Sequence, residues 1–116
     1  MVTLQNDKGY VQIDNDVFTT LTGNAAMSCF GVKGMVVRSV TDGLVHLLKH
    51  EFMGKGVKII YNEDGSITIQ LHIAVDRNIN IPVVCRSIIS EVRYKIEWAT
   101  GVKVKAVDVF VESIIG

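Results

Sequence analysis

The sequence predicts a two-layer α+β domain, a mixed sheet of three or four strands with helices packed on one face. Three observations carry this expectation. Ile67, Ile69, Leu71, Ile73 and Val75 alternate with Ser66, Thr68, Gln70, His72 and Ala74, the pattern of a strand buried on one face only. Ile81, Cys85, Ile88, Val92, Ile96 and Ala99 then recur at helical spacing. A valine-rich run, VKVKAVDVFVE from Val102, alternates again near the end of the chain. Strand, long helix and strand make a β-α-β unit, whose strands are expected to be parallel with a right-handed crossover.

The other elements follow in order. GYVQI, residues 9–13, has the bulky β-favouring composition of a short strand. Asp14 or Asp16 can cap the helix that follows, placing negative charge at its positive end. Val17, Leu21, Ala25 and Cys29, with Phe18 beside them, mark its expected buried stripe. Gly23 inside that helix costs about 1 kcal/mol against alanine and points to close packing. MVVRSV reads as extended, and DGLVHLLKHEF predicts a short helix over 42–51 with Asp42 as its cap. GVKIIYN and SITIQLHIAVD, separated by the turn EDG, predict an antiparallel hairpin.

Asn80 is placed to open the long helix, and Pro82 falls in its first turn, where a missing N–H is harmless. Glu91–Lys95 and Arg93–Glu97 are opposite charges at i,i+4 on its outer face. In the last strand the apolar positions run 102, 104, then 107, 109, 111. That slip near Lys105 and Ala106 predicts a β-bulge, which would keep both halves facing the core.

A chain of 116 residues is expected to form a single domain, 1–116, around one core. Its twelve basic and twelve acidic residues cancel, so no general attraction to nucleic-acid phosphates or anionic lipid is expected. No apolar run approaches the roughly eighteen residues that cross a bilayer. MVTLQNDKGYVQI lacks the basic and apolar regions of a signal peptide, so a cytoplasmic protein is expected. Cys29 and Cys85 sit among apolar neighbours without a CxxC pair and read as small buried hydrophobes.

The tripeptide GVK occurs three times, from Gly31, Gly56 and Gly101. The spacings of 25 and 45 residues exclude a solenoid repeat. Each glycine instead reads as a stop after a helix, followed by the first inward valine of an extended segment. Gly31, Val32, Lys33 and Gly34 also have the GxxG spacing with which KH domains clamp a nucleic-acid backbone. A KH loop needs a helix directly after it, whereas MVVRSV is β-favouring, and nucleic-acid binding is therefore disfavoured.

Other candidates for chemistry are thin. His46 and His50 share a face with Asp42 on the expected short helix, but one helix rarely encloses a metal, and HLLKH lacks the glutamate of HExxH. Glu63, Asp64, Asp76 and Asp108 show no pairing that would tune an acid and a base. Neither a serine elbow nor a phosphate-binding glycine loop is present. No catalytic residue, metal site or cofactor is expected.

The order and spacing of these segments resemble a known family. GYVQIDNDVFTTLTGNAAMSCFGVKGM, DGLVHLL, GKGVKI and NINIPVVCRSIISEVRYKIEWATGVKVKAVDVFVESI are similar to successive segments of the alkaline-shock-protein, or envelope stress response, family of Gram-positive bacteria. The resemblance implies a non-enzymatic cytoplasmic protein in cell-envelope homeostasis. It would be an interaction or scaffold module, able to self-assemble or to dock on a membrane-bound protein partner. The expected contact surface is the polar sheet face of Ser66, Thr68, Gln70 and His72, or an unpaired edge strand. Ile88-Ile89 stand where the family is often more polar, which implies deeper burial or self-association there. An accessory subunit of a lipid or small-molecule kinase is a second reading, and single-stranded nucleic-acid binding at Gly31–Gly34 a third.

Overall fold

The computed structural model describes residues 1–116. Strand β1 (Val2–Asn6) pairs antiparallel with β2 (Gly9–Ile13), in register from Val2 with Ile13 to Asn6 with Gly9. The strand expected at 9–13 is formed, and its partner VTLQN is an additional strand. The connecting turn is held by Lys8 N–H donating to Asn6 Oδ1 at 2.8 Å.

Helix α1 (Asn15–Met27) follows, with Asp14 at its N-cap position and Asp16 in its first turn. Its buried residues are Phe18, Thr19, Thr22, Gly23, Ala25 and Ala26. The predicted stripe was therefore rotated, and Val17 is exposed. Small residues decide this: a Cβ on Gly23 would lie 3.0 Å from Met53 Cγ, so the glycine admits the methionine side chain.

Strand β3 (Val32–Arg38) pairs antiparallel with β4 (Val45–Leu47), and a 3-10 helix (His50–Gly56) comes next. The helix expected over 42–51 is not formed. Val36, Val37 and Arg38 pair with Leu47, His46 and Val45, so β3 satisfies the backbone that a helix would otherwise have satisfied. Asp42 caps a turn instead, accepting from Leu44 N–H at 2.9 Å.

β5 (Val57–Tyr61) and β6 (Ile67–Asp76) form the predicted antiparallel hairpin. Helix α2 (Ile81–Thr100) begins at Asn80, whose side chain accepts from Val83 N–H at 3.1 Å. It ends at Gly101 with φ 74°, the left-handed stop expected of a glycine there. Its buried face is Val84, Ile88, Val92 and Ile96; Ala99 is exposed and Cys85 half-buried. Glu91 and Lys95 pair at 3.7 Å. The Arg93–Glu97 pair is not made, because Glu97 Oε2 accepts from Val104 N–H at 2.9 Å and ties the helix to the next strand.

β7 (Val104–Ile115) completes the predicted parallel crossover with β6. Ile67 aligns with Val104 but Thr68 with Ala106, so Lys105 is the bulged residue and both halves of the strand keep phase. A second shift lies between Val111 and Ser113, where Glu112 is the extra residue.

The main sheet has five strands, one more than the upper expectation, with β6 at its centre. β7 lies along one edge of β6. The other edge is shared: β5 covers Ile67–Leu71, and β3 covers Ile73–Val75. Phe18, Ala25 and Ala26 of α1 join Val84, Ile88, Val92 and Ile96 of α2 over the inward residues of β6 in a single core cluster. Helices on one face of a mixed sheet confirm the α+β class. No helix is long and apolar enough to cross a membrane.

Two GVK glycines are turn residues with positive φ, Gly31 at 88° and Gly101 at 74°. Gly56 departs from the expected helix stop. A Cβ there would lie 3.0 Å from the Val36 carbonyl oxygen, so it marks close backbone approach between β3 and the start of β5.

Candidate functional site on the outer sheet face

The face of β6 opposite the helices carries Thr68, Gln70 and His72, all half-buried. Each engages a neighbour. Thr68 Oγ1 accepts from Asn62 Nδ2 at 3.2 Å, and Gln70 Nε2 donates to Asp108 Oδ2 at 3.3 Å. The His72 ring stacks on Phe110 at 4.8 Å and 14°, across the parallel β6–β7 pair. Ser66 is not part of this open face. It is 5% exposed, and its hydroxyl donates to Asp64 Oδ1 at 2.6 Å within the hairpin turn. That hydrogen bond, with one from the Ser66 backbone, holds the Asp64 carboxyl below its ordinary range.

His72 also marks the fork in the sheet. Pairing with β5 ends at Leu71 and pairing with β3 begins at Ile73. The diverging strands leave a hollow of about 370 Å³ lined by Val36, Val37, Arg38, Lys55, Val57, Lys58, His72 and Glu112. Glu112 reaches it from the second β7 bulge, since an extra residue re-aims a side chain. Its Oε1 accepts from His72 Nδ1 at 2.8 Å, and its Oε2 from Arg38 Nη2 at 3.2 Å. The His72 hydrogen bond, opposed by partial burial and aided by Arg38, holds the Glu112 carboxyl below its usual range. Arg38 is itself oriented by Nη1 donating to the Gly43 carbonyl at 2.7 Å.

Of these residues, sequence reasoning named His72 alone. Lys58 occupies an outward position on an alternating strand, in register with Gln70, and was within reach of the pattern. Glu112 had no such signal, because Ile114 and Ile115 are both apolar and leave the phase after Val111 undefined. Arg38 and Lys55 had none, since the fork that joins them is a tertiary feature.

Gly31, Val32, Lys33 and Gly34 lie elsewhere. Val32–Gly34 begin β3, Lys33 is the residue skipped in the register with β6, and Gly31 O accepts from Asp76 N–H at 2.8 Å. The segment is thus a bulged strand start followed by more strand, and a Cβ on Gly34 would lie 2.9 Å from Leu47 Cδ2. His46 and His50 lie in β4 and the 3-10 helix, so they do not share the helical face expected of them. His46 Nε2 is 3.5 Å from Asp42 Oδ2. Burial raises the thiols of both Cys29 and Cys85, which keeps them protonated and poorly nucleophilic.

A mixed sheet with one helical layer and a parallel β6–α2–β7 unit defines a small α+β domain whose other face is open. Residues 3–115 match the family of alkaline shock protein 23, described as having a cell envelope-related function, and the chain belongs to that family. It is 28% identical over 114 residues to the uncharacterized protein YloU of Bacillus subtilis, covering 97% of this chain and 94% of that one. The uncharacterized protein Spy1614 of Streptococcus pyogenes is also 28% identical over 114 residues, with 97% and 93% covered. A second protein of that organism, the uncharacterized protein Spy1535, is 26% identical over 107 residues, with 92% and 80% covered. No solved structure matches the chain.

Proposed function

We propose that this chain is a non-enzymatic interaction module of cell-envelope homeostasis, one that contacts a protein partner through β-strands. The observation that carries this reading is the β1–β2 hairpin. It pairs with itself and joins the core only at its base, through Val2 and Ile13. Beyond that base the same face presents Leu4 and Val11, which are 41% and 58% exposed. A lone two-stranded hairpin is marginal in water and gains stability when its apolar face is covered. The radius of gyration of 14.9 Å exceeds the about 13 Å typical of this length, as a projecting arm would require.

The family's description supports an envelope-related role; in our reading the chain acts from the cytoplasm and reaches the membrane through an anchored protein partner. Leu4→Glu with Val11→Lys should leave the core intact, since both side chains face solvent. Crosslinking and affinity purification, with light scattering for self-assembly, should recover a protein partner with the native chain and lose it with this variant. A strictly monomeric chain that recovers no partner, or equal recovery by the variant, would rule the reading out.

A further inference from the structure

We infer that the hollow at the sheet fork is a binding site for a phosphoryl dianion. The inference is independent of the hairpin, since it rests on another surface. Arg38, Lys55 and Lys58 line this hollow with one carboxylate, Glu112, so a chain of zero net charge concentrates positive charge at one place. Glu112 shows how an anion is received here. Its two oxygens take separate donors, His72 Nδ1 and Arg38 Nη2, and its charge is turned toward them.

The two lysines are not consumed in this way. Neither Lys55 nor Lys58 enters an ion pair, whereas Lys33 and Lys95 each do. Lys55 Nζ lies 4.8 Å from the centre of the Phe52 ring, a cation–π contact that holds the ammonium without neutralising its charge. Two ammonium groups outside any ion pair, beside an occupied guanidinium, match a group with two charges and several acceptor oxygens. Val36, Val37 and Val57 supply apolar walls, which reduce solvent screening of that attraction.

The fold explains why the cations converge. Arg38 lies at the end of β3, and Lys55 and Lys58 flank the start of β5. Both strands leave the same edge of β6 at His72. Gly56 allows the approach, because its missing Cβ lets the Val36 carbonyl come close.

Inorganic phosphate titrated into the isotope-labelled full chain tests the site, read by amide chemical shifts at low and constant ionic strength. Saturable shifts centred on residues 36–38, 55–58, 72 and 112 are expected. Lys55→Gln with Lys58→Gln should weaken binding by about tenfold or more. Glu112→Gln should tighten it, because a competing internal anion is removed. Both lysines are exposed, so the double variant should fold, and its unperturbed spectrum verifies that.

Flotation with vesicles containing phosphatidic acid, a phosphomonoester that can carry two charges, against phosphatidylcholine alone, separates the two sources of such a group. Flotation lost in the double variant assigns it to a lipid headgroup. Phosphate shifts without flotation assign it to a soluble phosphoryl compound, and either outcome supports the site. Shifts that do not saturate, that chloride reproduces, or that persist in the double variant would overturn it.

Discussion

His72 and Glu112 are 40 residues apart in the chain, yet His72 Nδ1 lies 2.8 Å from Glu112 Oε1 on the outer sheet face. The contact joins the central strand to the bulge on its parallel neighbour, and Arg38 fastens the same carboxylate from β3. Three strands are thereby clasped at the point where the sheet divides.

This clasp has a pH signature. Glu112 has a lowered pKa in the folded chain, so its contribution is complete above the ordinary glutamate range, near 4.5. That contribution is lost as pH falls through the depressed folded value. Urea midpoints measured from pH 6 to about pH 3 should therefore fall more steeply for the native chain than for Glu112→Gln. Asp42 and Asp64 are shifted in the same direction, and the difference between the two proteins isolates Glu112. Parallel profiles would show that the clasp does not contribute.

The face of α2 can be read by truncation. Ile88 is fully buried, and Ile88→Ala should cost about 2–5 kcal/mol in urea unfolding. Val84→Ala should cost more than Cys85→Ala, since Val84 is 7% exposed and Cys85 only half-buried. The reverse order would restore the stripe that spacing alone predicted.

Thr22 offers a substitution in the other direction. Its hydroxyl oxygen is buried with no hydrogen-bond partner. Thr22→Val keeps the branched shape and removes the unpaired group, and should stabilise the chain by about 1 kcal/mol. A lower thermal midpoint for this variant would mean that the hydroxyl is satisfied in solution.

Gly101 tests the helix stop. At φ 74° with open space around a notional Cβ, Gly101→Ala is penalised by conformation alone, by about 1 kcal/mol. Gly101→Asn should cost less, because asparagine tolerates the left-handed region. Equal urea midpoints for the two variants would dissociate the stop from backbone conformation.

Local rules made much of this fold readable. Strict alternation in β6, the Asn80 cap and Pro82, the Gly101 stop and the slip at Lys105 all concern neighbours a few residues apart, where geometry and sequence are tightly linked. The errors share a cause. Val45–Leu47 looked helical because Leu44, Val45, Leu47 and Leu48 have that spacing, but pairing with β3 outweighs propensity over so few residues. The face of α1 turns because Gly23 admits Met53, and VTLQN is a strand because of its partner rather than its composition.

The candidate sites divide in the same way. Sequence by itself determined the α+β class, the β6–α2–β7 unit, the outward position of His72 and the family resemblance, since each follows from periodicity or from the order of local signals. Tertiary structure alone decided that Ser66 is enclosed in a turn, that Gly31–Gly34 lead into a strand, and that Arg38, Lys55, Lys58 and Glu112 line one hollow with His72. Those residues meet because two strands divide one edge of β6 while a bulge turns a side chain on the other. Such convergence is set by long-range pairing and leaves no period in the chain.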